Sequence, residues 1–313
     1  RQDLGVQLPM RVLFEHPSVL ALSTYLEGNT PSGYTPLFKL RAEGTQTPLF
    51  CVHPAGGNGA VYKNLADELG PDQPVWAFQA RGLEEGETPH ASIVEMASAY
   101  LVAMKSIQPQ GPYRLLGWSF GGTIAQEMAH QLELSGEKVE MLVLLDSAVK
   151  GASENDVSLT DEQRTLQILE EASQHFNITD EVIDLSNERF IRRLLDRMAL
   201  HKLVPAATPI EAFKRTIDQM LNATKRVNEH KIQSCASPIL FIRAALDPTP
   251  ADKTVFDWSP YTSEQLINEA VQTVHSAMWE SEPSKRIAQL IRAFLSSEVS
   301  GSDERNNLMD LST

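Results

Sequence analysis

Short apolar runs alternate along this chain with longer stretches in which apolar residues recur every three or four positions. The short runs predict strands at residues 48–53, 74–79, 113–117, 139–145, 238–243 and 271–274. Between them, Val61, Leu65 and Leu69 share one helical face, as do Ile124, Met128 and Leu132. Ile93, Met96, Ala97, Tyr100, Leu101 and Met104 form a third stripe, and Ile287, Leu290, Ile291 and Phe294 a fourth. Strands that alternate with helices of this length predict an α/β fold, a mainly parallel sheet with helices on both faces. Met141-Leu142-Val143-Leu144-Leu145 is apolar at every position, as a strand buried on both sides requires.

One stretch breaks the alternation. Residues 151–235 hold no good strand but three helical patterns, around 160–176, 186–201 and 209–230. That is too long for a loop, so it is a lid over the site or a separate helical subdomain, and the lid is the preferred reading. Residues 1–27 read as helix with extended pieces, and 28–35 as a linker rich in Gly, Ser and Pro. The main body is expected over 36–297, with a polar, disordered tail at 298–313.

Composition narrows the function classes. The formal net charge of −14 would repel nucleic-acid phosphates, so no nucleic-acid partner is expected. No apolar run approaches the roughly 20 residues of a membrane span, and Arg1-Gln2-Asp3-Leu4 does not open a signal peptide. The expectation is a cytoplasmic, monomeric protein without a membrane partner. The two cysteines, Cys51 and Cys235, lie far apart and read as reduced structural thiols, with no metal site.

The chemistry centres on Gly117-Trp118-Ser119-Phe120-Gly121. A Gly-x-Ser-x-Gly pentapeptide alone is a weak signal. Here it joins a strand, 112–116, to a helix with a coherent apolar face, where a nucleophilic serine sits on a sharp turn and the glycines relieve crowding. The competing reading of Ser119 is a helix N-cap. A serine needs a base, and among the eight histidines only His275 follows the last expected strand and precedes the final helix. His53 ends a strand that points toward the same place; its expected role is to position the following loop rather than to act as the base. Asp146 ends the strand 139–145 and Asp247 follows the strand 238–243, so both satisfy the chain order serine, acid, histidine. Fold alone slightly favours Asp247. The oxyanion hole is expected from the backbone N–H groups of Phe120 and of Ala55, in the loop Pro54-Ala55-Gly56-Gly57-Asn58-Gly59.

From about residue 35 to 297 the chain resembles the C-terminal, product-releasing thioesterase domains of nonribosomal peptide synthetases. The resemblance is carried by Pro48-Leu49-Phe50-Cys51-Val52-His53-Pro54-Ala55-Gly56-Gly57, by residues 111–122 around Ser119, and by Leu144-Leu145-Asp146-Ser147. It implies an α/β-hydrolase fold, and it shifts the preferred acid to Asp146. Residues 4–19, Leu4 to Val19, look like the last part of a peptidyl-carrier domain, although Ser18 does not match the carrier's modified serine. The resemblance further implies no bound cofactor: an upstream peptidyl-carrier domain delivers an acyl or peptidyl thioester on 4'-phosphopantetheine. Ser119 would take the chain as an acyl-enzyme, and water or an internal nucleophile would release it as an acid or a macrocycle. The alternatives are a stand-alone esterase or lipase of the same fold and a catalytically silent carrier-docking module.

Overall fold

In the computed structural model the apolar runs form strands β1 (Leu37–Arg41), β2 (Leu49–Val52), β3 (Val75–Phe78), β4 (Tyr113–Trp118), β5 (Val139–Leu145), β6 (Ile239–Ala244) and β7 (Leu266–Val271). The helices are α1 (Val19–Glu27), α2 (Lys63–Leu69), α3 (Ile93–Ile107), α4 (Phe120–Leu134), α5 (Asp161–His175), α6 (Glu188–Leu200), α7 (Ile210–Glu229) and α8 (Ser281–Met309). The structure describes Val12 and residues 18–27, 34–41, 43–149, 159–178, 182–200, 204, 208–248 and 252–309, with backbone only at 253 and 297–309. The expected linker at 28–35 lies largely outside these residues.

Among the described residues the strands form one sheet in the order β1-β3-β2-β4-β5-β6-β7. Only β1 runs antiparallel, against β3; every other pairing is parallel. Alternate residues of each strand point to opposite faces, so the sheet carries two cores. On one face Phe50, Leu115, Leu142 and Phe241 pack with the apolar stripes of α3 and α4. On the other, Cys51, Leu116, Val143 and Ile242 pack with α2 and α8. The expected α/β-hydrolase architecture is what forms, and both cysteines are buried and free.

Two strands depart from expectation. The edge strand β7 lies at 266–271 rather than 271–274, and β1 was not anticipated. Both are sheet-edge strands with mixed burial, so neither has the continuous apolar signature of a central strand. The final helix runs to Met309, through residues that polar composition assigned to an irregular tail.

Helices α5, α6 and α7 form the insertion between β5 and β6. They share their own apolar cluster, which includes Leu169, Phe190, Leu194, Phe213 and Ile217, separate from both sheet cores. Arg215 Nε donates to the Leu83 carbonyl at 2.7 Å and Gln219 Nε2 to the Arg81 carbonyl at 3.1 Å, tying α7 to the body. No helix among the described residues is long and apolar enough to cross a membrane.

Candidate active site

Strand register brings the site residues together. Trp118 of β4 pairs with Leu145 of β5, so the residues that follow, Ser119 and Asp146, leave the sheet side by side. Leu145 in turn pairs with Ile242 of β6, and β7 lies next to β6. Ala55 follows β2, Asp247 follows β6 and His275 follows β7, so all these residues hang on the carboxyl ends of parallel strands, where open α/β sheets bind ligands.

Ser119 sits at φ 57°, ψ −126°, a conformation that costs a non-glycine residue about 1–3 kcal/mol. The turn is also crowded. A Cβ on Gly117 would lie 2.1 Å from the Gly121 carbonyl oxygen, and one on Gly121 would lie 2.3 Å from the Val52 oxygen. Only glycine lets α4 start this close to β4 and β2. The N-cap reading of Ser119 finds no support, because its side chain caps no N–H of α4. Phe120 opens α4, and the first N–H groups of a helix have no carbonyl of their own helix to bond.

His275 Nδ1 lies 2.6 Å from Asp146 Oδ2. The other Asp146 oxygen accepts the Ala244 N–H at 3.0 Å and faces Arg243 Nε at 3.9 Å, an ionic contact rather than a hydrogen bond. The Arg243 guanidinium lies 4.5 Å from the centre of the Phe256 ring. Asp146 is itself held in left-handed backbone, φ 46°, and its side chain is buried. Asp247 meets the same histidine elsewhere: its carboxylate accepts the His275 backbone N–H at 2.6 Å. The structure thus brings Asp146 to the imidazole and Asp247 to the main chain beneath it. Trp118 packs its ring 5.4 Å from that of His275.

Ser119, Ala55, Phe120, Asp146 and His275 all line one cavity of about 280 Å³. Its opposite wall comes from α7, through Ala223, Thr224 and Val227. One helix of the insertion therefore lines the cavity that holds Ser119 and His275. Two tyrosine hydroxyls bond to groups behind the cavity wall. The Tyr62 hydroxyl donates to the Val52 carbonyl at 2.6 Å and accepts the Trp118 N–H at 2.9 Å, clamping the ends of β2 and β4. Tyr100 bonds His53, as described below. Tyr100 belongs to an apolar helical stripe and Tyr62 was not singled out, and nothing in the sequence marks either hydroxyl. His53 is buried, with Nδ1 2.8 Å from the Pro54 carbonyl at the start of the loop it was expected to position.

A family model described as a thioesterase domain matches residues 47–295. A dimodular nonribosomal peptide synthase from Bacillus subtilis is 33% identical over 294 residues, which is 93% of this chain but 12% of that protein. Among solved structures, a four-domain nonribosomal peptide synthetase bound to AMP and glycine superposes with a TM-score of 0.69 at 23% identity, over 93% of this chain and 22% of that one. The Vlm2 thioesterase domain gives 0.65 at 22% identity, over 82% of this chain and 95% of that one. At such identities the structural likeness is one of fold. The chain spans only a small part of the long synthetases it matches.

Proposed function

We propose, for a chain that belongs to the thioesterase-domain family, that Ser119 accepts an acyl or peptidyl chain from carrier-bound 4'-phosphopantetheine and releases it by hydrolysis or macrocyclisation. The carrying observation is the line from Asp146 through His275 to a cavity shared with Ser119. His275 donates from Nδ1 to Asp146, which leaves Nε2 with a lone pair to take the Ser119 proton. Ser119 Oγ then bonds to the thioester carbonyl carbon, and the resulting oxyanion is met by the Phe120 and Ala55 N–H groups. As the intermediate collapses, the C–S bond breaks, and His275 returns the proton to the departing pantetheine thiol. Water, or an amine or hydroxyl of the chain itself, repeats the sequence on the acyl-serine. Asp146 favours the imidazolium, and Asp247 holds the main chain that presents it.

The matched synthetases support a role at the end of such an assembly, with an upstream carrier as partner. On this reading, residues 1–27 are the end of that carrier, 28–35 a linker and 36–297 the catalytic domain with its lid at about 151–235. The phosphopantetheine arm brings substrate and is not a resident cofactor. The compartment is the reducing cytoplasm, in line with two free thiols. A cavity of about 280 Å³ that opens to solvent holds the reacting end of a long peptidyl chain, with α7 as one wall beside Ser119.

A panel of peptidyl pantetheine thioesters of increasing length, followed by intact mass, tests this. The expected result is an acylated protein that Ser119→Ala abolishes, with products that have lost only the thiol (ring closure) or gained water (hydrolysis). Acylation of the Ser119→Ala protein defeats the assignment, and turnover of simple oxygen esters with none of the thioesters indicates an esterase.

A further inference from the structure

We infer that Tyr100 and His53 form a hydrogen-bonded prop that sets the direction of the Ala55 N–H, so that both are positioning residues for the oxyanion. The inference rests on the role given above to that N–H.

The bonds run in series. His53 Nδ1 lies 2.8 Å from the Pro54 carbonyl oxygen and Nε2 lies 2.6 Å from the Tyr100 hydroxyl. A carbonyl only accepts, so Nδ1 carries a proton. Burial pushes the His53 pKa down to about 4, with the nearby His90 and Arg226 also opposing its charge, so the ring is neutral at ordinary pH. A neutral imidazole has one N–H, so Nε2 must accept, and the Tyr100 O–H donates to it. The Tyr34 hydroxyl donates to the Gln79 carbonyl at 2.9 Å; the Tyr100 oxygen lies 3.4 Å from that carbonyl, much farther than the 2.6 Å to His53 Nε2. One tautomer follows, and it aims its proton at Pro54.

The Pro54 carbonyl and the Ala55 N–H belong to one peptide unit. That unit is planar, with its C=O and N–H pointing in opposite directions. Fixing one therefore fixes the other. The Pro54 oxygen is held twice, by His53 Nδ1 and by the Gly57 N–H at 2.9 Å. The Gly57 bond alone would close the turn. A leucine could fill the space behind it, whereas a buried imidazole costs free energy unless both its nitrogens are paired. The paired ring gives the peptide a second anchor, and hydrogen bonding to its carbonyl polarises its N–H toward the cavity that Ala55 lines.

The test compares His53→Leu, His53→Asn and Tyr100→Phe in the full chain. Asn places an amide N–H close to the position of Nδ1, whereas Leu offers no donor. The readouts are kcat, KM and the affinity of an alkyl boronic acid, which becomes a tetrahedral anion on Ser119. His53→Leu should lower kcat by about tenfold to a hundredfold with KM nearly unchanged, and weaken the boronate by a similar factor. His53→Asn should recover most of that loss, and Tyr100→Phe should fall between. Equal kcat in the Leu and Asn proteins, with only Tm altered, overturns the inference and makes the ring a packing element. If His53→Leu does not fold, Tyr100→Phe, which removes one oxygen, decides by the same readouts. Boronate binding that survives Ser119→Ala undamaged defeats the reading of the site itself.

Discussion

Asp146 and Asp247 both reach His275, one at the ring and the other at the backbone, and the two bonds have different consequences. A carboxylate on Nδ1 fixes the tautomer and meets the imidazolium that forms during catalysis; a carboxylate on the main-chain N–H can only hold position. Asp146→Asn should therefore cut kcat by roughly 10³–10⁴-fold, and Asp247→Asn by about tenfold or less. Steady-state rates of the two variants check this, and the reverse order assigns the acid to Asp247. Motif and chain order singled out one serine and one histidine, whereas both aspartates satisfied the chain order and only the family resemblance preferred Asp146. Both aspartates follow a central strand and both touch the histidine, and no residue pattern reveals which atom each meets. His53 supports a second expectation. Its pKa lies below the ordinary 6.5, at about 4, so between those values the unfolded chain binds a proton here and the folded chain does not. Its contribution to stability is full above pH 6.5 and is lost as pH falls toward 4, on the order of a few kcal/mol in all. Burial lowers the pKa of His90 and His230 too, which adds to the same acid limb. Urea unfolding of the parent and His53→Gln proteins at pH 7 and pH 4.5 should show a smaller acid loss in the variant.

The turn from β4 into α4 was readable because glycine spacing is itself a record of contact. Gly121 lies against the end of β2, an element far earlier in the chain, through a gap that a methyl group would close to 2.3 Å. Gly121→Ala should destabilise the protein by about 1–3 kcal/mol through overpacking, seen as a lower urea midpoint with unchanged slope. The central strands β2 to β6 were legible to within about two residues because each is almost wholly buried and correspondingly apolar. Strand β7 was displaced for the opposite reason. Leu266-Ile267-Asn268-Glu269-Ala270-Val271 has one side at the sheet edge, and its polar centre hides it beside the apolar stretch that follows. The lid helices were found from periodicity, and the Thr160–Gln163 capping box that starts α5 marks the first of them.

Across the whole molecule, the apolar interior is divided among two sheet cores and one lid cluster. Among the described residues α7 meets the body through Arg215, Gln219, Ala223 and Val227, while α5 and α6 pack chiefly in their own cluster and so belong to the less stable end of the structure. The four tryptophans, Trp76, Trp118, Trp258 and Trp279, all lie outside α5, α6 and α7. Far-UV circular dichroism should therefore begin to lose helix at lower urea than tryptophan fluorescence changes. Coincident curves would mean that the lid and body unfold as one unit.

The spread of the site along the chain also bears on how the protein is made. Asp146 and His275 are separated by 129 residues, and β6 must be in place before β7 can pair with it. At about 5–20 residues per second, a ribosome needs roughly ten seconds to cover that distance. For that interval the nascent chain carries Ser119 and Asp146 without His275. On the proposed mechanism, thioester cleavage waits until the last strand has closed the edge of the sheet, so the onset of activity follows translation and folding order.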